Sequence, residues 1–528
     1  MGRSQAAGTA SAARAHRFLR RLLAAGGTGA HPRWLWPSVW IALTGVVLLY
    51  TRFLGLNQSL EIDELFTVFL YVDPGPSGAL FGHYEPNDHV LYELLAWVAT
   101  SVLGRAEAIY RLGSVVPALA GIALLVTWAW RRFGPWTATI AGLVLTFAPL
   151  SLAETTLARG YGLALLAMVG MIVSAAELVE RGPRPWLLAG LAASIFTGVG
   201  THPILGLGAL GVVLALLTRP VLRGGVIRAT IGAGIALVLL FAPLIPQMVS
   251  DFNNAYLNPP AREVAGGPPK VLRPPVPLDT PITGPVALMA PMGRMFVEGD
   301  INIRCVAQCD RGGELWLYGL IPVLFAIAGG YELHRRRQTG QLLVFALPLL
   351  ALFTVVTVGR LFMLDRFALF LLVPMAMLIA VGLAGAGQFL WRMAPARPLV
   401  VLVGTALVLF GSYRMIQMST RWAELPQENY KQAAEIALAS RVRPIVTNSV
   451  RPWGLWYYLG RDGVRQIDEA DLESVLCGKG SLVFIDHKYR TNSPDVSCLV
   501  RDGAARITVE QRARGSFEVW IRTPVPTH

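Results

Sequence analysis

Ser59-Leu60-Glu61-Ile62-Asp63-Glu64 and Glu85-Pro86-Asn87-Asp88-His89 put five carboxylates and one imidazole into the stretch 59–89, directly after a long apolar run. Ionised carboxylates held beside hydrocarbon are costly and mark a functional site by default. A carboxylate so placed can take the proton of a hydroxyl as that hydroxyl attacks an electrophilic carbon. The same spacing also suits plain helix chemistry. Ser59 can cap a helix whose first turn carries Asp63 and Glu64, where the helix dipole favours acids. Asp88 can cap the apolar helix that follows. His89 suits a hydrogen bond to a bound hydroxyl, or one place in a metal site with carboxylates.

Two arginines sit where span ends meet the same side. Arg159 lies in Ala158-Arg159-Gly160-Tyr161-Gly162, and Arg366 in Leu364-Asp365-Arg366-Phe367. A guanidinium matches a phosphate bidentately. Snorkelling to lipid headgroups, or an Asp365–Arg366 surface pair, is the plainer reading of each. No Gly-rich phosphate loop appears that would hold a nucleotide.

What positions these groups is a string of apolar segments. Of the 528 residues, 54% are hydrophobic and 15% charged, against about a quarter charged in soluble domains. Runs near 34–54, 112–130, 136–154, 160–178, 186–201, 203–218, 228–247, 315–333, 341–359, 366–390 and 398–413 read as eleven spans. The run Val90–Leu103 is short for a span and reads as interfacial or re-entrant. With it off the list, Arg131/Arg132, Arg181/Arg184, Arg219/Arg223/Arg228, Arg335/Arg336/Arg337 and Arg392/Arg397 all fall in inner loops. That arrangement obeys the positive-inside rule and sets the N-terminus cytoplasmic. The +13 net charge is therefore a topology signal, and nucleic acid is not an expected partner.

Residues 1–33 read as a basic cytoplasmic tail and 34–418 as the membrane domain, with outer loops 55–110 and 248–313. Residues 419–528 read as an extracytoplasmic α/β domain. There the apolar runs shorten to strand length (Pro444–Val446, Ser481–Ile485, Phe517–Ile521), and helical periodicity appears over Tyr430–Leu438 and Asp471–Leu476. Cys305/Cys309 and Cys477/Cys498 fall outside, where disulfides are permitted; reduced buried thiols are the alternative.

As an ordered set the motifs resemble the GT-C superfamily of polytopic glycosyltransferases. The branch they resemble holds the lipid A aminoarabinose, rhizobial-type galacturonosyl and protein O-mannosyl transferases. The set is Ser59–Glu64, Glu85-Pro86 with His89-Val90-Leu91-Tyr92, Arg111-Leu112 with Pro117, Ala158–Tyr161, and Asp365-Arg366-Phe367 with Pro374. Glu61 stands where an aromatic is usual, and Asn87-Asp88 replaces a proline near His89. The resemblance implies an α-helical polytopic fold and a polyprenyl-phosphate-linked sugar as donor. It further implies an envelope glycan, lipid or protein as acceptor, membrane lipids as surroundings and a bacterial inner-membrane location. It makes Asp63 the base and Glu85 the second loop acid, with Glu64, Asp88, His89, Tyr92, Arg159, Tyr161 and Arg366 on the substrates. No cofactor is required; a divalent metal is compatible with the loop acids. A transporter or flippase for a lipid-linked sugar, or an O-antigen-ligase-like enzyme, would use similar outer arginines.

Overall fold

The computed structural model describes residues 32–82, 88–252, 312–358, 369–393, 396–424, 429–448, 453–467, 469–478, 480–487, 495–509 and 517–523. Glu85, Arg366, the tail 1–31, most of loop 248–313 and the pair Cys305/Cys309 lie outside them.

Helix α1 (Pro32–Phe53) leads into a short polar turn and α2 (Ile62–Thr67), which runs on as a π-helical turn over Val68–Val72. A small helix α3 (Pro76–Phe81) precedes α4 (Val90–Leu103), the apolar helix of 14 residues that the sequence set apart from the spans. Then come α5 (Glu107–Phe133), α6 (Pro135–Phe147), α7 (Pro149–Thr155), α8 (Tyr161–Arg181), α9 (Pro185–Thr201), α10 (Leu205–Leu217) and α11 (Pro220–Phe241). After α12 (Ile245–Phe252), the membrane part closes with α13 (Gly312–Arg335), α14 (Thr339–Val358), α15 (Leu372–Arg392) and α16 (Arg397–Glu424).

All eleven apolar segments fall on helices, but the expected count of eleven independent spans does not follow. Among the described residues six helices are long and apolar enough to cross a membrane, or seven if α6 and α7 form one span. Those two meet at a 61° bend. The cause is local: Pro149 has no N–H to continue the ladder, and it holds Ala148 in an extended conformation. Helices α9 and α10, with 17 and 13 residues, are too short by that rule. The core of the bundle is packed closely by small residues. Where α13 crosses α15, a Cβ on Gly329 would strike the Leu378 carbonyl, and one on Gly382 would meet backbone of α13.

Helix α16 continues to Glu424, past the expected boundary at 418, because nothing in 414–424 breaks a helix and Ser419 Oγ docks on the Thr51 carbonyl of α1 at 2.9 Å. Beyond it lies the α/β unit. It comprises α17 (Tyr430–Ala439), β1 (Ile445–Thr447), α18 (Trp453–Leu459), β2 (Arg465–Gln466), α19 (Glu469–Leu476), β3 (Leu482–His487), α20 (Ser497–Arg501), β4 (Ala505–Val509) and β5 (Phe517–Arg522). The sheet order is β2-β1-β3-β5-β4, with β1 parallel to both β2 and β3 and the other two pairings antiparallel. Helices between the parallel strands supply the crossovers that parallel pairing needs.

A disulfide joins Cys477, just after α19, to Cys498 in α20. Closing a loop of this size removes unfolded-chain entropy worth about 3 kcal/mol. Replacing both cysteines by serine is therefore expected to lower the thermal midpoint of the purified protein by several degrees. An unchanged midpoint would show that the bridge contributes nothing.

The α/β unit does not stand apart. Tyr430, Ala433, Ala437, Leu455, Ile485 and Phe517 pack in one core with Leu60, Leu65, Val68, Val72 and Tyr110. Lys431 reinforces this contact: its Nζ meets Glu107 Oε1 at 2.9 Å and the Asn57 carbonyl at 3.3 Å, while its backbone N–H reaches Ser59 Oγ.

Candidate active site

Glu61 sets the local structure. It is the N-cap of α2, and with Glu64 it forms a reciprocal capping box. Ser59, the cap expected from sequence, is instead used between the two units. Its carbonyl accepts from Arg111 and its hydroxyl accepts from the Lys431 N–H. Glu61 thus has a structural role that an aromatic at the same position would not supply.

Glu64 is fully buried, and its carboxylate is surrounded by donors. Oε1 accepts from Arg111 Nε at 2.9 Å and from the Ala158 N–H at 2.5 Å; Oε2 accepts from Arg111 Nη2 at 2.7 Å and from the Glu61 N–H at 2.9 Å. Arg111 also donates to the carbonyls of Gly55, Leu56, Gln58 and Ser59. One buried pair therefore ties the turn after α1, the start of α2 and the turn before α8 to α5. Each oxygen of the Glu64 carboxylate thus accepts two hydrogen bonds from within the fold.

Asp63 is presented the other way. Its side chain is 42% exposed, and Oδ2 accepts from Arg159 Nη1 at 3.0 Å. Arg159 itself is 2% exposed and lies over the Tyr161 ring, 5.2 Å from its centroid. The two glycines beside it permit this arrangement by close approach. A Cβ on Gly160 would strike Thr201 and His89, and one on Gly162 would strike the Ser114 backbone. The Gly162 N–H instead donates to Ser114 Oγ at 2.9 Å.

Below Arg159 lies an aromatic cluster. The His89 ring packs edge-on against Tyr161 at 4.8 Å and against His202 at 5.1 Å, and His202 meets Phe370 at 5.6 Å. His89, rather than Asp88, is the N-cap of α4, and its N–H donates to Glu93 Oε1 at 3.0 Å. Asp88 is 5% exposed and Tyr92 0%; the Tyr92 hydroxyl donates to the Tyr110 carbonyl at 2.7 Å. Tyr92 thus packs in the core, where the sequence placed it on substrate. Asp63, Arg159, Tyr161 and His89 are brought together, whereas Glu85 and Arg366 lie outside the described residues. Among the described residues no group of three or more His, Cys, Asp or Glu side chains has a metal-binding arrangement.

Sequence reasoning missed Glu93 and His202, and noticed Arg111 only as part of a motif. The signal for Glu93 was there: an acid four residues after His89, inside a helix otherwise apolar. Burial pushes the Glu93 carboxyl well above the usual carboxylate range, and Asp88 adds to the rise; the His89 N–H and Arg159 oppose it. Because the folded value is raised, the unfolded chain ionises first as pH climbs past about 4.3, and keeping Glu93 neutral then costs stability. Glu93→Gln retains an acceptor for His89 without that cost. Its thermal midpoint is expected at or above wild type at pH 7.5, with the difference gone near pH 4. A midpoint well below wild type at pH 7.5 would show that Glu93 is charged in the fold.

No protein-family model matches the sequence, and no curated protein matches it. Solved structures do match in fold. ArnT from Cupriavidus metallidurans in the apo state superposes with a TM-score of 0.56 at 13% identity, covering 94% of this chain and 100% of that one. The same protein bound to undecaprenyl phosphate gives 0.54 at 14% identity, covering 94% and 99%. At these identities the likeness is one of fold, and at 94% coverage it takes in both the helical bundle and the α/β unit.

Proposed function

We propose that the chain is a glycosyltransferase that moves a sugar from a polyprenyl-phosphate-linked donor to an acceptor hydroxyl on the outer face of a bacterial inner membrane. The observation that carries this reading is the selective exposure of Asp63. Glu61, Glu64, Asp88 and Glu93 are buried, while Asp63 is half-buried, with a side chain 42% exposed that rests on a buried arginine. A base must be reachable by the proton it takes. The same-fold neighbour bound to undecaprenyl phosphate supports a lipid-phosphate donor. The Cys477–Cys498 bridge fits an oxidising compartment for the α/β unit.

In the proposed reaction the donor phosphate reaches Arg159 and competes with Asp63 for the guanidinium. The released carboxylate takes the acceptor proton while the acceptor oxygen bonds to the anomeric carbon. The carbon–oxygen bond to phosphate breaks, its electrons leave with the phosphate, and a single displacement inverts the centre. Arg159, and Arg366 by motif, stabilise the charge that develops on the leaving group. Glu85 is assigned by motif to orient the acceptor. A divalent metal is not required by these steps.

The test is turnover of a radiolabelled polyprenyl-phosphate sugar by the purified chain with envelope extract as acceptor, wild type against Asp63→Asn. Loss of sugar from the lipid in the wild type alone supports the reading. Lipid binding without transfer in the wild type would favour a flippase.

A further inference from the structure

A groove of about 560 Å³ opens where the α/β unit meets the loop that carries Asp63. That volume is within the ~300–1,000 Å³ of small-ligand sites. One wall comes from the membrane part: Phe69 in the π-helical turn, Asp73 just after it, and Arg105 and Glu107 where α5 begins. The other comes from α17 and α18. Lys431, Glu435 and Leu438 line one face of α17 at helical spacing, and Trp456, Tyr457 and Tyr458 project from α18.

We propose that this groove is a carbohydrate-binding subsite that holds the glycan part of the acceptor; the inference rests on the glycosyl-transfer reading and names its acceptor as a saccharide. The lining alternates ring surface with hydrogen-bonding groups of both kinds. A sugar chain needs this, since each ring has an apolar C–H face and a rim of hydroxyls that both donate and accept. Three acids (Asp73, Glu107, Glu435) face two bases (Arg105, Lys431), so the groove carries almost no net charge and has no cationic cradle for a phosphate or an acidic peptide. Its polar groups exclude an acyl chain.

The aromatic wall is rigid. Tyr457 is held between Phe69 at 6.2 Å and Tyr458 at 4.9 Å, and Arg461 lies over Trp456 at 5.6 Å. Burial, and next the Glu107 carboxylate, hold the Tyr457 phenol well above its usual range, so its hydroxyl stays a donor. The groove is coupled to the site. The Tyr458 hydroxyl accepts from the Leu60 N–H at 3.0 Å, one residue before the cap of α2, and Lys431 pairs with Glu107 across the opening.

Two changes test the groove without touching the Asp63 site: Glu435→Gln, at an exposed position on α17, and Trp456→Ala. Saturation-transfer NMR on the full chain in detergent, with maltotetraose, cellotetraose, chitotetraose and mannotetraose as probes, reads binding directly. At least one probe is expected to bind, with each variant weakening it fivefold or more and leaving undecaprenyl phosphate binding unchanged. The subsite is overturned if none of the four binds, if binding survives both variants, or if tetralysine occupies the groove instead. Saccharide binding with no transfer would overturn the enzymatic reading and leave the subsite standing. Transfer with no saccharide binding would do the reverse.

Discussion

Asp63→Asn is expected to lower sugar transfer by about 10²- to 10⁴-fold, the usual contribution of a positioned general base. That corresponds to about 3–5 kcal/mol of barrier. Asparagine keeps the shape and an oxygen that can still accept from Arg159, so the change removes proton acceptance and little else. The loss should therefore appear in kcat. The donor KM should stay level or fall, because Arg159 no longer shares its guanidinium with a carboxylate that the donor phosphate must displace. The Asp63 side chain is 42% exposed, so the thermal midpoint should move by a few degrees at most. A rate within tenfold of wild type would remove Asp63 from the base role. A raised donor KM with an unchanged kcat would make it a positioning residue for the donor instead.

The helical bundle was legible because apolar run length and the arginines between runs are properties of composition, and both survive without knowledge of packing. Run length alone does not count spans where helices are short or bent. Helices α9 and α10 are too short to be judged alone, and the α6–α7 bend turns on one proline. Three strands of the α/β unit, β1, β3 and β5, were legible as short apolar runs; β2 and β4 were not, nor was the pairing order, since nothing local links β3 to β5. At the site, residue type marked the carboxylates but not the contacts that each one makes. Asp63 and Glu64 are adjacent and chemically alike; a turn of about 100° per residue sends one to solvent and the other onto Arg111. Only the position of Arg111, forty-seven residues on, decides which acid is which. The same holds for Tyr92, whose hydroxyl is taken by a carbonyl on the next helix.

Arg111→Ala is expected to be the most destabilising single change in the chain outside the bundle core. Removing one member of a buried ion pair typically costs about 3–5 kcal/mol, because the other charge remains without a partner. Here the consequence is wider. Arg111 satisfies both oxygens of Glu64 and four carbonyls in 55–59, and Glu64 in turn satisfies the N–H groups of Glu61 and Ala158. Arg111→Lys should be nearly as damaging, since an ammonium has three donors and no planar fork with which to reach both the carboxylate and the carbonyls. The decisive comparison is the double variant Arg111→Met with Glu64→Leu. If the pair were only an ion pair, apolar replacement of both partners would recover most of the stability. The double variant should instead remain within about 1 kcal/mol of Arg111→Ala, because buried backbone donors and acceptors on three segments stay unsatisfied at about 1–3 kcal/mol each. Thermal unfolding of the purified proteins measures this, and recovery to the wild-type midpoint in the double variant would refute it. Limited proteolysis gives the structural counterpart. The first new cleavage should fall in 55–59, the turn whose carbonyls Arg111 holds, and transfer should fall with it because Asp63 lies in the first turn of the helix that this turn aims.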